Sequence, residues 1–470
     1  MAKASNSRKA TRPHKQAARA ALPVRSELTQ IKQDVAGIDV GSEAHYVAVP
    51  EDRDPCPVRK FGAFTADLYQ LVKWLLDCGI KSVVMQATGV YWYGLYQVLE
   101  DHGLAVTVTN ARYTKMLPGR KTDVAECQWL QQLETFGLLT QSFRPTEEFR
   151  VLRSYMRQRE NLVADLGTCI QRIQKALTEM NLQLCNVLSD ISGRSGMAIL
   201  RAIVKGERDP YQLADLCDSR IKATRKQVAE SLEGTWRREL LFIVQQQLEI
   251  HDALAAQVTK CDAQIEAHLQ TIDQKLGPDL TPMPEPRRPR VPPKRKHIPQ
   301  YDLRQYLYQI TGVDLTQIDG VGEQTALVVV SEVGVDMTKW KTEKQFASWL
   351  GLSPANEITG GRVIKRGTKK VVNRAATALR LAAQTLRTSK SFLGAKYRRL
   401  RGRMDAAQAI TAMAHNLATL IYRILKFGHN YVDKGADFYE QKHRQHYIQY
   451  LKKQAAKQGF QLTPMQGVVA

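Results

Sequence analysis

From Val35 onward, short runs of apolar residues alternate with polar and turn residues, and this pattern predicts a mixed sheet covered by helices. Three β-type runs come first, VAGIDVG, HYVAVP and VRKFGAF. A helix-spaced segment follows, TADLYQLVKWLLDCG, with Gly79 as its stop. The remaining segments read as strand, helix, strand and long helix: KSVVMQA, TGVYWYGLYQVLEDHG, LAVTVTN and KTDVAECQWLQQLETFGLL.

The predicted element order over residues 34–146 is therefore β-β-β-α-β-α-β-α. Three leading strands followed by alternating helices and strands is the order of the RNase H-like α/β fold. A flavodoxin-like sheet would alternate from its first strand. We therefore expect a mixed sheet with helices on its faces.

The composition and hydrophobic periodicity of the rest of the chain change several times. Residues 1–33 are basic with little hydrophobic period, which predicts a flexible arm. Residues 147–276 are predicted to be helical, with long antiparallel or dimerising helices over Glu147 to Leu184 and Lys222 to Gln270. Eight prolines among Arg and Lys predict a basic, semi-extended linker over 277–302, and a second globular unit is predicted over 303–462.

The charge balance favours a polyanionic partner. Lys and Arg number 68 against 46 Asp and Glu, which gives a net charge of +22 and a pI near 9.7. Nucleic acid is the simplest such partner. A ribosome-like or merely basic protein is the alternative that charge alone leaves open.

No segment has the length and hydropathy of a membrane span or of a secretory signal, so we expect a soluble, intracellular protein without membrane contact. Seven scattered cysteines without a C-x-x-C pair predict reduced structural thiols. His443 and His446 lie three apart on a predicted helix, but they lack the Cys or acidic companions of a metal site.

Three acidic residues are candidates for catalysis. Asp39 lies mid-strand between Ile38 and Val40, where an unpartnered carboxylate is costly; the alternative is an edge-facing or capped Asp. Asp123 and Glu126 lie three apart, so both project from one helix face, as they also would on an ordinary solvated surface.

In the predicted fold, these acids occupy positions at which related enzymes bind metal. RNase H-like nucleases hold two divalent cations about 3.5–4 Å apart, between acids on the first strand, at the end of the fourth strand and on the last helix. Asp39, Asp123 and Glu126 are therefore the predicted metal ligands. The fourth-strand position is occupied by Gln86, an uncharged amide.

The second unit offers two candidate phosphate contacts. IDGVG before a helix resembles half of a helix-hairpin-helix, in which Gly320 and Gly322 would let backbone N–H groups approach a phosphate; a plain turn is the alternative. Thr359 then precedes two glycines and a basic run, which suits phosphate binding or nucleophilic attack, or else a β-turn with a solvated basic face. The run consists of Arg362, Lys365, Arg366, Lys369, Lys370 and Arg374.

Farther on, YRRLRGR supplies Arg398, Arg399, Arg401 and Arg403 for a nucleic-acid backbone, with Tyr397 available for stacking.

Many blocks resemble one family in order: GIDVG, ATGVYW, NARYTKMLPGRKTDVAECQWLQQL, SFRP, MNLQL, IDGVG, LGLSPANEITGG and NRAATALRLAAQ. They resemble the DEDD transposases of insertion sequence family 110, especially its 1111 branch, relatives of the Piv invertases. The resemblance runs from about Val35 to about Leu462.

The resemblance implies a RuvC-like (RNase H-like) N-terminal domain, an α-helical coiled-coil middle and a mostly α C-terminal transposase domain with a helix-hairpin-helix-like element. It implies Mg²⁺-dependent recombination of donor and target DNA, guided by a structured bridge RNA. It further implies a homo-oligomer, dimer or tetramer, in the bacterial cytoplasm, nucleoid-associated when bound to DNA. Arg120 and Lys121, just before the helix acids, are expected to contact nucleic acid.

Asp39 and Asp123 match two acids of the family, and three positions depart from its pattern. Gln86 stands where the family has Glu, Glu126 where it has Asp and Thr359 where it has the nucleophilic Ser. An amide brings no charge to a metal, and a β-methyl crowds an attack on phosphorus, so attenuated chemistry is expected. Two rival functions stay open: an RNA- and DNA-binding relative without cleavage, natural or deliberately inactivated, and a simple RuvC-like junction nuclease.

Overall fold

A computed structural model describes residues 30–87, 89–114, 122–274, 282–286, 299, 301–365, 367–369, 371–428 and 434–463. The predicted basic arm, apart from residues 30–33, and most of the predicted linker lie outside the described residues. The chain divides into two compact units, with the boundary along the sequence between Phe143 and Arg144. The domain boundaries predicted from the sequence stay predictions.

The first unit is built on one five-stranded sheet, in the spatial order β3-β2-β1-β4-β5. Strands β1 and β2 pair antiparallel, as do β2 and β3, whereas β1, β4 and β5 run parallel. The strands are β1 (Val35–Val40), β2 (Ala44–Ala48), β3 (Val58–Gly62), β4 (Ser82–Gln86) and β5 (Ala105–Thr109). The helices are α1 (Thr65–Asp77), α2 (Trp92–Asp101), α3 (Ala111–Thr114) and α4 (Asp123–Thr135).

Side-chain alternation divides β1 and β4 between the two faces of this sheet. Ile38 of β1 and Met85 of β4 join the main core, together with residues of α1 and α2. Val35 and Val84 point to the opposite face, where they pack with Leu130 of α4. The mixed α/β sheet with helices on both faces confirms the predicted fold class.

Gly37 lets α4 approach the sheet very closely. A Cβ at this position would lie 2.2 Å from the Cys127 carbonyl oxygen and 2.4 Å from the Gln131 amide nitrogen. Both atoms belong to the helix backbone, so neither can move away by changing a rotamer. Glycine is therefore required where β1 crosses α4.

We expect Gly37→Ala to destabilise the protein by about 3 kcal/mol, because the added methyl group forces β1 and α4 apart. Gly94→Ala is the matched control, since nothing lies within 4 Å of a Cβ built at that position in α2. It should stabilise by about 0.5–1 kcal/mol through helix propensity. Denaturant unfolding measures both, and equal stabilities of the two variants would contradict the close approach.

The second unit is helical apart from one β-hairpin. Its strands are β6 (Glu357–Thr359) and β7 (Arg362–Lys365). Its helices are α5 (Glu147–Glu179), α6 (Leu184–Val187), α7 (Arg194–Val204), α8 (Pro210–Ala214), α9 (Arg225–Glu230), α10 (Arg238–Thr271), α11 (Leu303–Thr311), α12 (Glu323–Val333), α13 (Glu343–Trp349), α14 (Arg374–Thr385), α15 (Phe392–Arg401), α16 (Ala406–Phe427) and α17 (Gly435–Lys457).

The two longest helices of the second unit, α5 and α10, pair with each other in antiparallel orientation. Arg159 donates to Asp262 at 2.5 Å, and toward the other end of the pair Arg172 Nη1 lies 3.5 Å from Gln247 Oε1. The short helices α6 to α9 form a core with one end of this pair. Of the two arrangements that the sequence left open, the structure therefore shows the antiparallel one within a single chain.

The C-terminal helices pack around α12, α14 and α16. Helix α12 contacts α14 and α5, and α16 contacts α13, α14 and α15. Arg153 and Arg157 of α5 both reach Glu332 at the end of α12, which ties the long helix pair to the C-terminal helices.

None of the described helices is long and apolar enough to cross a membrane. All seven cysteines lie in described positions and carry free thiols. That these thiols are reduced and structural stays a prediction.

Candidate active site

Asp39 is held near the end of the central strand β1, on the face covered by α4. It follows Ile38, which pairs with Met85 of the parallel strand β4. Because Ile38 points to the main core, alternation turns Asp39 to the opposite face of the sheet. The strand thus aims a half-buried carboxylate at the first turn of α4.

Helix α4 begins with the two other candidate acids. Thr122 caps it, since its hydroxyl oxygen accepts a hydrogen bond from the Ala125 amide at 3.2 Å. Asp123 and Glu126 occupy the first turn, where the helix dipole favours negative charge. Gly37 fixes the separation of β1 and α4, and therefore also the approach of these acids to Asp39.

The three carboxylates act on one another electrostatically. The pKa of Asp39 is raised to about 6, first by burial and then by the charges of Glu126 and Asp123; only a hydrogen bond from the Val40 backbone opposes this. No basic side chain is among the described groups that act on Asp39. Negative charge is therefore concentrated here without a compensating cation from the described part of the chain.

Gln86 ends strand β4 on the same face of the sheet as Asp39. Val84 packs toward α4, so alternation turns Gln86 to that side as well. Its side chain is 7% exposed, and the strand register pairs it with Thr109 of β5. The structure thus brings the amide to the face that carries Asp39, but an amide adds an oxygen donor without charge.

The donor set fits a hard divalent cation by its chemistry, because Mg²⁺ prefers carboxylate and amide oxygens. A closed site is not preformed, since the described residues contain no group of three or more His, Cys, Asp or Glu side chains that could hold a metal ion. This statement also covers His443 and His446, which lie on α17. Glu126 and Asp123 act on Asp39 strongly enough to raise its pKa, and a metal would require the three side chains to converge.

Cys127 lies directly beneath the acids and was not singled out by the sequence. Burial, together with the Asp39 and Asp123 charges, raises the pKa of its thiol to about 12. The group stays protonated at neutral pH in the metal-free protein, so it is not a nucleophile there. No motif or spacing around Cys127 in the sequence indicated that its side chain would be buried beside the acids.

Thr359 ends strand β6 in the second unit, next to a tight turn. Gly360 and Gly361 have φ of +56° and +76°, which are the positive values that a type I′ hairpin turn requires. Thr359 pairs with Arg362 across the hairpin, and both residues are exposed. The hydroxyl is thus presented on a two-strand hairpin with a cationic side chain opposite it.

The predicted glycine contacts differ from each other. Gly320 has φ +85°, and a Cβ there would lie 2.8 Å from the Ala382 carbonyl oxygen, so this glycine serves the packing of the turn against α14. Gly322 is the N-cap of α12 and has nothing within 4 Å of a Cβ position. Only Gly322 is open enough for a ligand, and phosphate binding by either glycine stays a prediction.

The predicted basic residues around the hairpin lie in different surroundings. Arg362 is exposed, and Lys369 Nζ lies 3.5 Å from Ser348 Oγ. Arg374 begins α14 and forms an ion pair of 2.7 Å with Glu160 of α5, so part of its charge is used within the protein. Outside the described residues lie Arg120, Lys121, Arg366, Lys370 and the side chain of Lys365.

The arginines of α15 also have partners within the chain. Arg398 donates to the Ser389 carbonyl oxygen at 2.6 Å, and Arg399 pairs with Glu440 of α17 at 3.2 Å. Tyr397 is only 5% exposed, so the prediction that it is available for stacking is wrong. Its ring points to the interior because α15 packs that face of the helix against its neighbours.

Comparison with known protein families gives two matches. A model of DEDD transposases of IS110 elements, described as Transposase, matches residues 36–182. A second, described as Transposase IS116/IS110/IS902 family, matches residues 314–398. The first match contains Asp39, Gln86, Asp123 and Glu126, and the second contains Thr359. A search of curated proteins gives no match.

Proposed function

Because the chain belongs to the IS110 family of transposases, we propose that it cuts and joins DNA strands during transposition of an insertion sequence, with Mg²⁺ as cofactor and a structured bridge RNA as guide. The proposed assembly is a homo-oligomer, dimer or tetramer, on donor and target DNA. Its chemistry is proposed to be attenuated by Gln86 and Thr359.

The observation that supports metal-dependent chemistry most directly is the state of Asp39. Its pKa is raised to about 6 by burial and by two further carboxylates. Such accumulated negative charge costs folding free energy, and a bound cation would offset that cost. DEDD transposases typically use a divalent metal, and the same three acids are the residues that would hold it here.

The roles of the residues follow from their positions. A bound metal pair supplies activation of the attacking oxygen and stabilisation of the leaving oxygen. Asp39 provides the rigid ligand, since its strand lies at the centre of the sheet. Glu126 is one methylene longer than Asp and can reach a cation by a small adjustment of its side chain. Gln86 can offer its carbonyl oxygen alone.

Thr359 is proposed as the nucleophile of the strand-transfer step. Oγ1 loses its proton to solvent and bonds to the phosphorus as the bond from phosphorus to a deoxyribose oxygen breaks. The leaving oxygen takes up a proton to become a free hydroxyl, and the DNA stays linked to the protein. The exposed hairpin gives the hydroxyl access to a backbone phosphate. Its β-methyl group stiffens χ1 and crowds the attack, so the step should be slower than with serine.

The guide and the DNA are proposed to be gripped mainly through phosphates. A net charge of +22 supplies the attraction, and sequence choice would then reside in RNA–DNA pairing. Protein contacts to backbone position the strands without reading bases.

A plasmid recombination assay tests the proposal. The plasmid carries the ends of the element, and the guide RNA is supplied with the parent protein or with its Gln86→Glu/Thr359→Ser variant. Junction product from either protein supports the proposed function. Absence of product from both would refute it.

A second function, RNA and DNA binding without cleavage, is favoured by one observation. The buried Gln86 amide occupies the position at which a charged ligand is expected, and it fits there without an ion pair. Retained binding together with no product, even from the double variant, would establish this alternative.

The raised pKa of Asp39 predicts pH-dependent metal affinity. The carboxyl must lose its proton to bind a cation, so affinity should rise as pH passes through about 6. Between about pH 5 and pH 7 the ionised fraction of such a group grows about tenfold. Mn²⁺ binding followed by electron paramagnetic resonance measures this rise, and Asp39→Asn should flatten it. An equally steep rise in Asp39→Asn would assign the titration to another group.

A further inference from the structure

Helix α17 has an unusual surface for a helix of its length. It spans Gly435–Lys457, and none of its residues is buried. Its first part rests on α15, through contacts of Phe392 with Phe438 and Tyr439. Farther along, Tyr447 and Tyr450 are 52% and 55% exposed, although tyrosine rings are costly to leave in water.

Four rings form a continuous aromatic row along one face of this helix. Tyr439, His443, Tyr447 and Tyr450 follow one another at intervals of four, four and three residues, which the helical repeat places on one side. Successive ring centroids are 6.4, 6.5 and 6.4 Å apart. The last three rings are nearly parallel, with interplanar angles of 24° and 23°. We call these four residues the aromatic row.

The charge beside the last three rings of the aromatic row is positive. Residues 441–457 contain five Lys or Arg and no Asp or Glu. By the helical repeat, Lys442, Lys453 and Lys457 lie along one border of the row. At the start of the row the charge is mixed, since Glu440 acts on His443 together with Arg399 and Arg403 and pairs with Arg399. A polyanion that follows the row from His443 onward would meet cations.

We propose that the aromatic row of α17 is a stacking platform for unpaired bases of a folded RNA, with the bordering lysines contacting its phosphates. Exposed aromatic rings beside a cationic track are the features by which proteins hold single-stranded nucleic acid. The rings require bases that are free to leave their own stack. Loops of a structured RNA present such bases before any DNA duplex is opened, and a DNA strand displaced by RNA–DNA pairing is the alternative that the single-stranded DNA probe distinguishes. The proposal rests on the proposed function only for the identity of the RNA.

A second protein chain fits this surface less well. Leu451, Ala455 and Ile448 form only a short apolar stripe beside the row. A second copy of α17 would offer two acidic residues, Asp437 and Glu440, against the five cations of residues 441–457, and Glu440 already pairs with Arg399. The RNA assignment replaces the stacking function that the sequence analysis placed on the buried Tyr397.

Fluorescence anisotropy with the full-length protein tests the assignment. The probes are a labelled RNA hairpin with an unpaired uridine-rich loop, a fully paired RNA of the same length, and single-stranded DNA with the loop sequence. Tyr447→Ala/Tyr450→Ala should weaken hairpin binding at least tenfold, since each stacked base contributes a factor of about five or more. Binding to paired RNA should change less than threefold.

Two matched variants separate stacking from other causes. Tyr447→Phe/Tyr450→Phe keeps the rings without their hydroxyls and should bind like the parent. Ile448→Ala/Leu451→Ala changes the neighbouring face and should also bind the hairpin normally. Circular dichroism of each variant verifies that α17 is folded.

Three outcomes would overturn the assignment. Unchanged hairpin binding by the double alanine variant would show that the aromatic row is not a stacking platform. Loss of affinity for single-stranded DNA alone assigns the surface to DNA. If that variant binds RNA normally but light scattering shows a changed oligomeric state, then the surface is a contact between copies of the chain. Recombination activity is a separate readout, so its absence would refute the proposed function without changing this binding result.

Discussion

Asp39→Asn is expected to abolish strand transfer and, at the same time, to stabilise the metal-free protein above pH 7. The variant lacks the proposed metal ligand and with it several kcal/mol of transition-state charge stabilisation, so we expect a loss of about a thousandfold or more. The opposite effect on stability arises because folding buries the ionised Asp39 carboxylate and, as a smaller cause, brings it near the charges of Glu126 and Asp123. An isosteric amide leaves the shape unchanged and removes both costs.

The sign of the stability effect follows from the direction of the pKa shift. The folded protein binds the Asp39 proton more tightly than the unfolded chain, since the pKa rises from 3.8 to about 6. The stability gained from this proton is fully present below about pH 3.8 and is lost as pH rises through about 6. Above that range the ionised carboxylate is a net cost, which we place at about 1–2 kcal/mol after allowing for its partial exposure.

Urea unfolding of the metal-free proteins at pH 5 and pH 8 measures the effect. Asp39→Asn should gain stability relative to the parent at pH 8 and about half as much at pH 5. Asp101→Asn, on the exposed surface of α2, is the control and should change stability by less than about 0.5 kcal/mol. A destabilised Asp39→Asn protein at pH 8 would mean that Asp39 has a structural partner and is not a repelled member of the acid cluster.

Gln86→Glu is expected to raise both metal affinity and strand transfer. The side chain already lies buried at the end of β4, on the face toward α4, so a carboxylate of nearly the same shape needs no new backbone position. A fourth negative charge strengthens the hold on a divalent cation, and we expect at least about a tenfold gain. In the metal-free state the same change should lower stability, since it adds repulsion to the acid cluster.

Mn²⁺ titration and strand-transfer rates measure the two gains together. Gln86→Ala is the control, because it removes the oxygen donor and should lower both quantities. If Gln86→Glu binds metal more tightly but transfers strands no faster, then the attenuation lies at Thr359, and Thr359→Ser should restore the rate. If it changes neither quantity, Gln86 is not part of the metal site.

The sheet and its acids could be predicted because both depend on short-range patterns. Short continuous apolar runs marked β1 and β4, and the three-residue spacing of Asp123 and Glu126 placed both acids on one face of α4. Strand β4 pairs parallel with β1, which brings Gln86 to the same sheet face as Asp39. The fold class followed from element order alone.

Other features depend on contacts between distant residues and left no local signal. The ion pair of Arg374 with Glu160 joins positions 214 residues apart, so a basic run read along the sequence overstated the free charge near the hairpin. Tyr397 was misjudged because the burial of a helix face depends on its neighbours. The close approach at Gly37 likewise became visible only when α4 was placed on β1.

The aromatic row lies between these cases. The spacing of its four residues can be read from the sequence, but aromatic residues at helical intervals more often form a core. Only the exposure of α17 distinguishes a surface row from a core.

The most direct test of the acid cluster as the catalytic metal site is strand transfer on a plasmid that carries the ends of the element, with guide RNA and Mg²⁺. Three proteins are compared in one assay: the parent, Gln86→Glu and Gln86→Glu/Asp39→Asn. We predict at least about tenfold more junction product from Gln86→Glu than from the parent, and none from the double variant. Undiminished product from the double variant would contradict the assignment of Asp39, and with it the metal site.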